Sequence, residues 1–254
     1  LPTYEAKELG LALRKFALAE WDQSITVTAN ETNDYFKVVY KALEMIEPHI
    51  ASRTRVISHG LLRFAEGKMS SRKGNVITGE SLIEEMIAAA EEKMTDSELT
   101  AEEKESVARD VGVAAIKLSI LRQTIGKDSV FDKEQSISLE GDSGPYIQYS
   151  AVRANSVLEK AQSEVGAIPN EVSTLEKLLY RFPEAIRRAQ IENSPHGVSS
   201  YLLEVAGAFN SWYANTKIID GSEYQGYRLL LTNATKIVLT NGLEVLGIRV
   251  PAKM

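Results

Sequence analysis

The chain reads as an α/β region followed by an all-α region, and three features carry that reading. Helical and strand-like patterns alternate over the first 60 residues, in the order expected of a parallel sheet. After Gly79 the pattern is helical, with several marked N-termini. At 254 residues, with a hydrophobic fraction of 44% and a charged fraction of 25%, the chain has the composition of a globular protein with two cores.

Glu5 to Glu20 predicts a first helix, and Ser24 to Ala29, SITVTA, a strand rich in β-branched residues. Tyr35 to Ile46 predicts a second helix and Arg55 to Ser58 a second strand. Two strands are few for a doubly wound domain, so this stretch is expected to be half of one. Farther on, Ser81 with Glu84, Thr100 with Glu103 and Ser173 with Glu176 each fit a capping box. Ser194 before Pro195 fits an N-cap with proline at the first helical position. Val107, Val111, Ala114, Leu118 and Leu121 make one apolar stripe between Glu102 and Arg122. Tyr227, Leu231, Ala234, Val238 and Val245 do so between Tyr224 and Leu246, with Gly247 and Pro251 as stop signals. A helical bundle is expected from near Gly144 onward, and no internal repeat or coiled-coil register interrupts it.

Composition excludes several classes. With no cysteine, disulfides and thiolate metal sites are impossible, and His49, His59 and His196 are too widely spaced to suggest a zinc site. No run approaches the roughly 18 apolar residues of a membrane span. The chain opens on Leu1 without a signal-peptide pattern, so its natural beginning is expected to lie upstream. The net charge of −6 argues against a uniformly basic nucleic-acid binder. Its distribution is more telling: six cations face one acid between Ala51 and Asn75, whereas eleven acids face three bases between Glu80 and Asp110.

The basic stretch ends in GKMSSRKGN, Gly67 to Asn75. Its glycines free backbone N–H groups, its serines donate hydrogen bonds, and Lys68, Arg72 and Lys73 neutralise charge, as a loop that grips a polyphosphate requires. A solvated basic turn is the plain alternative. A P-loop fits poorly, because Leu62 stands in place of the first glycine and Met69 in place of the Ser or Thr after the lysine. A second motif, EGDSGPYIQYSAVRA, spans Glu140 to Ala154. Its Asp-Ser-Gly-Pro core is no protease nucleophile: a serine without a placed base is inert, and the surroundings are helical. It reads instead as a helix start that puts Tyr146, Tyr149 and Arg153 on one face, either to pack an interface or to stack on unpaired RNA bases. Ser194 to Ile219 is an amphipathic helix ending in aromatics. Tyr4 and Glu8, one turn apart near the start, offer a hydroxyl and a carboxylate to a cation or simply form a solvated face.

These strings together resemble the arginyl-tRNA synthetases of class I. KMSSRKGNVI is similar to the family's KMSKS loop, which stabilises the ATP triphosphate; Ser71 stands where the second lysine is usual. The resemblance assigns Lys68, Ser70 and Lys73 to catalysis and Lys68, Met69, Ser70, Ser71, Arg72 and Lys73 to ATP. Glu31 and Asn33, in ANETNDYF, fall where the family lines its adenosine pocket, although the histidine often found there is absent. Tyr4 and Glu8 match the family's arginine-binding tyrosine and acid, with Glu8 in place of Asp. GDSGPYIQYSAVR resembles the opening helix of the anticodon-binding domain and implies tRNA contacts by Tyr146, Tyr149 and Arg153. The AFN-x-x-Y string and the C-terminal end add Asn210, Tyr213 and Met254, with Phe209 and Trp212 divided between core and surface.

The implied fold is the C-terminal half of a Rossmann-like parallel-sheet catalytic domain followed by a mostly helical anticodon-binding bundle. Residues 1–79 would be the partial catalytic domain, 80–140 a helical stem-contact region and 141–254 the anticodon-binding domain. The implied partners are tRNA(Arg), L-arginine and ATP, with magnesium carried by the nucleotide and no protein metal site or membrane. A cytoplasmic location is expected, and a monomer at full length. No His-Ile-Gly-His-like ATP signature occurs, so the chain is expected to be the C-terminal part of such an enzyme, inactive alone. A free-standing RNA-binding module is the alternative, and a structural helical protein would leave GKMSSRKGN unexplained.

Overall fold

The computed structural model describes residues 2–19, 21–64, 77–94, 99–161 and 166–254. It divides into two compact units, Leu1–Leu62 with Thr124–Ser129, and Arg63–Gln123 with Val130–Met254. In chain order the first elements are α1 (Tyr4–Leu18), β1 (Ser24–Ala29), α2 (Asn33–Ile46), α3 (Pro48–Ala51) and β2 (Thr54–His59). Strands β3 (Leu62–Phe64) and β4 (Ser129–Phe131) flank α4 (Gly79–Glu92) and α5 (Ala101–Leu121). Helices α6 (Lys133–Ser136), α7 (Gly144–Leu158), α8 (Thr174–Tyr180), α9 (Phe182–Glu192), α10 (Pro195–Asn215) and α11 (Gln225–Val245) follow.

In the first unit β1 and β2 pair in parallel, from Ser24 opposite Thr54 to Ala29 opposite His59. Parallel neighbours need a crossover, and α2 and α3 supply it. Helix α2 buries Phe36, Val39 and Leu43 at the three- and four-residue spacing of one helical face. Helix α1 buries none of its residues, and Ile25 and Val27 of β1 remain exposed. The expected strand at Ser24 to Ala29 is found with those bounds, and the second is one residue longer at each end.

The second unit holds the main core, where α5, α7, α8, α9, α10 and α11 converge on Leu118, Ile147, Leu202, Phe209, Leu239 and Leu243. The EGDSGPY string is spent on starting α7. Gly141 takes a left-handed φ of 77°, and the Ser143 hydroxyl accepts the Tyr146 N–H at 3.0 Å. Gly144 lies so close to α5 that a Cβ would sit 2.3 Å from the Ala114 carbonyl oxygen. Pro145 then occupies the first turn, where its missing N–H is no loss.

Several expectations shift. The box at Thr100 and Glu103 and the one at Ser173 and Glu176 form as expected. Helix α4, however, starts at Gly79 under a Thr78 cap, and Ser81 is the reciprocal partner rather than the cap. A hydroxyl at the third helical position returns the cap's hydrogen bond as a glutamate would, which moves the start three residues upstream. Pro195 does sit in the first turn of α10, but the Ser194 hydroxyl donates to Glu192 and makes no cap. On α11 the buried stripe runs through Leu231, Thr235, Val238, Leu239, Gly242 and Leu243, whereas Val245 is 60% exposed. Thr235 is hidden from a hydrophobicity count because its hydroxyl is satisfied by the Leu231 carbonyl at 2.9 Å.

Candidate functional site

In the first unit the candidates lie at the carboxyl end of β1 and on α1. Glu31 is in a 3₁₀ turn, Asn30–Thr32, that leaves β1, and Asn33 begins α2. The carboxyl ends of parallel strands are where open α/β sheets place ligands. The turn is held by the Thr32 hydroxyl, which donates to the Ala29 carbonyl at 2.8 Å, and by the Asn30 amide, which donates to the Gly126 carbonyl at 3.2 Å. Tyr4 and Glu8 share a face of α1. The Tyr4 ring is 78% exposed, with the Lys7 ammonium 5.1 Å from its centre. Glu8 is nearer α2: burial pushes the phenols of Tyr35 and Tyr40 up, and the Glu8 charge pushes them further. Lys68, Met69, Ser70, Ser71, Arg72 and Lys73 lie outside the described residues.

The second unit brings four expected RNA-contact residues together. Tyr149 and Arg153 project from α7, one turn apart, and Asn210 and Tyr213 from α10. The Arg153 guanidinium carbon lies 4.6 Å from the Tyr149 ring centre and 5.1 Å from that of Tyr213, so the cation packs against two aromatic rings. Its Nη1 donates to Asn210 Oδ1 at 2.6 Å. The Asn210 Nδ2 donates to the buried Ser150 hydroxyl at 2.7 Å, and that hydroxyl donates to the Tyr146 carbonyl at 2.8 Å. Phe209 beneath is fully buried, 6.0 Å from Tyr213 and 6.2 Å from Trp212. Trp212 is partly buried against the same core.

Tyr146 and Met254 are placed differently. Tyr146 is partly buried against the core, with its hydroxyl 3.9 Å from the Cβ position of Gly207. The C-terminal segment is tied to α7 by Gln148, whose amide donates to the Arg249 carbonyl at 2.6 Å and the Asp110 carbonyl at 3.2 Å. Gln148 and Arg153 are about 140° apart around the helix. The tail's anchor and the guanidinium therefore occupy different faces of α7. Ser150 and Gln148 escaped the sequence reading. Their one signal was a polar residue inside an apolar helical stretch, and its meaning depends on what α10 and the tail bring to it.

Two parallel strands with ligand-facing carboxyl ends, beside a helical bundle that presents a cation between tyrosines, define an α/β nucleotide-type fold joined to an RNA-contact module. Comparison with known proteins specifies the class. Residues 2–133, more than half of the chain, match the family model "tRNA synthetases class I (R), catalytic domain", and residues 147–254 match "DALR anticodon binding domain". The chain belongs to the class I (R) tRNA synthetase family. It is 33% identical to the arginine–tRNA ligase of Clostridium botulinum, over 99% of this chain and 46% of that protein. It is 34% identical to that of Halobacterium salinarum, over 96% of this chain and 40% of that one. The chain thus spans about half the length of the curated relatives it matches. Among solved structures, the arginyl-tRNA synthetase of Thermus thermophilus superposes with a TM-score of 0.86 at 24% identity, covering 100% of this chain and 50% of that one. A methionyl-tRNA synthetase of Mycobacterium tuberculosis shares the fold at a TM-score of 0.57 and 15% identity. Among the described residues no helix is long and apolar enough to cross a membrane.

Proposed function

We propose that this chain serves the ligation of L-arginine to tRNA(Arg): arginine attacks the α-phosphate of ATP, and the terminal ribose of the tRNA then takes the arginyl group. Residues 1–79 supply part of the catalytic domain, 80–140 contact the tRNA stem and 141–254 read the anticodon. Lys68, Ser70 and Lys73, with Met69, Ser71 and Arg72, hold the triphosphate and stabilise pyrophosphate as it leaves, a positioning and electrostatic task. Magnesium arrives with the nucleotide. Glu31 and Asn33 line the adenosine site, and Tyr4 with Glu8 meets the arginine guanidinium, a planar fork of donors suited to a carboxylate. The whole protein works in the cytoplasm as a monomer.

The observation that carries this reading is the group formed by Tyr149, Arg153, Asn210 and Tyr213, which falls inside the segment matching an anticodon-binding domain. Aromatic rings offer stacking faces to unpaired bases, and the guanidinium offers donors to base edges or phosphates. The test is binding of this chain to an arginine tRNA transcript and to the same transcript with a changed anticodon, across a salt series. Preference for the arginine anticodon is expected. Equal and strongly salt-sensitive binding would reduce the role to phosphate contact. No ATP–pyrophosphate exchange is expected from these 254 residues alone, since they contain no His-Ile-Gly-His-like signature; turnover would overturn that part.

A further inference from the structure

Ser150 has no place in any reading of the sequence, yet it is fully buried on the face of α7 that meets α10. A hydroxyl has one proton to give, and that of Ser150 goes to the Tyr146 carbonyl at 2.8 Å. Toward Asn210 it can therefore only accept. The Asn210 carboxamide must then turn its NH2 group to Ser150, at 2.7 Å, and its oxygen to Arg153, at 2.6 Å. Had the amide the opposite orientation, its NH2 group would face the guanidinium, two donors in opposition, and its oxygen would face a hydroxyl with no proton to spare.

We propose that Ser150 is a positioning residue for RNA recognition: through Asn210 it sets the orientation in which Arg153 is held between Tyr149 and Tyr213. The proposal rests on the anticodon-reading role given above. It also sharpens the chemistry of that role. The rings of Tyr149 and Tyr213 already pack against the guanidinium, so its free N–H donors, which lie in the guanidinium plane, are what remains for a ligand. The ligand chemistry is a pair of acceptor oxygens or an oxygen and a nitrogen, as on a guanine edge or a phosphate. Nothing on Ser150 itself touches RNA.

The experiment compares Arg153→Ala, Ser150→Ala and the double variant S150A/N210D, each in the whole chain, with two readouts. The first, without RNA, is the NMR signal of the Asn210 side-chain amide and its exchange with solvent. The second is the ratio of affinities for the arginine transcript and its changed-anticodon counterpart, with the salt dependence of each. Ser150→Ala is expected to increase exchange at the Asn210 amide and to lower the ratio roughly five- to tenfold, the effect of losing one oriented hydrogen bond. In S150A/N210D the ratio should recover, because a carboxylate presents an oxygen to Arg153 whichever way it turns. If Arg153→Ala leaves binding and ratio unchanged, the RNA-reading role itself fails, and this proposal with it. If Arg153→Ala lowers the ratio but Ser150→Ala does not, the role stands and the positioning by Ser150 is overturned. A loss in Ser150→Ala that S150A/N210D does not restore would mean a packing defect, which also overturns it. A phosphate ligand is marked by equal losses on both transcripts and a salt slope smaller by about one; a base ligand is marked by a fall in the ratio.

Discussion

Helix α1 and helix α7 each present a tyrosine and a charged residue one turn apart, yet the two pairs are held in opposite ways. On α7, Arg153 is fixed by two rings, an amide and a buried hydroxyl, and ten residues of the helix or its start are buried or packed on the core. On α1 no residue is buried, and Tyr4 meets only the Lys7 side chain of its own helix. The α7 pair is preorganised by its neighbours, and the α1 pair has little to hold it. Affinity gained from preorganisation is therefore expected at α7 and not at α1.

The sharpest way to break the comparison is glycine replacement. Gly144→Ala should destabilise the second unit by about 3 kcal/mol or prevent its folding, because the new Cβ meets the Ala114 carbonyl 2.3 Å away. Gly10→Ala on α1 meets nothing within 4 Å and should raise helix stability instead, by up to about 1 kcal/mol. Urea unfolding of the two variants, followed by circular dichroism, checks both signs. Should both be neutral, the difference in packing between the helices has no energetic content.

Smaller effects are expected at the aromatics. Tyr149→Ala or Tyr213→Ala should weaken binding of the arginine transcript by about 1–3 kcal/mol, the range for loss of a stacking face. Tyr4→Ala should leave tRNA affinity unaltered. A filter-binding series on the three variants decides this, and equal losses in all three would erase the distinction.

The bundle should also respond to high pH. Burial pushes the Tyr201 phenol up to about 12, and burial together with the hydrogen bond to Glu176 does the same for Tyr227. Between pH 10 and about 12 the folded bundle keeps protons that the unfolded chain releases, so stability is whole below pH 10 and falls as pH rises through that window. Tyr201→Phe removes one titrating phenol and should flatten the fall, at the cost of the bond to the Leu178 carbonyl. On the acid side, Asp220 is held near 2 by the Ser222 N–H and hydroxyl and by Arg228, so its contribution is lost only as pH falls through about 2. Thermal melts across the two ranges are the measurement.

The smallest differences concern helix starts. Thr100→Ala removes a side-chain cap and should cost about 1 kcal/mol, whereas Ser194→Ala, which removes no cap from α10, should cost less. A larger loss at Ser194 would show that its bond to Glu192 matters more than capping.

Much was legible beforehand wherever the physics is local. Strand β1 was readable from its β-branched run, and α5 from a capping box and a stripe at three and four. Where a polar group is satisfied by a distant partner, the sequence misleads. Thr235 looks like surface and is core, Val245 looks like core and is exposed, and Ser194 looks like a cap and is not. The candidate site divides in the same way. Tyr149 and Arg153 could be paired by counting residues along one helix, but Ser150 and Gln148 acquire a role only through α10 and the C-terminal segment.

By itself, then, the sequence determined the order of elements, the division into a parallel-sheet part and a helical part, and the residue types available for chemistry. These follow from periodicity and capping, which act within a few residues. Only the tertiary structure decided that Arg153 is bound by Asn210, 57 positions away, and that Ser150 sets the orientation of that amide. The physical reason is that a buried hydrogen-bond donor or acceptor must find a partner wherever folding places one. Which partner that is depends on how the helices pack.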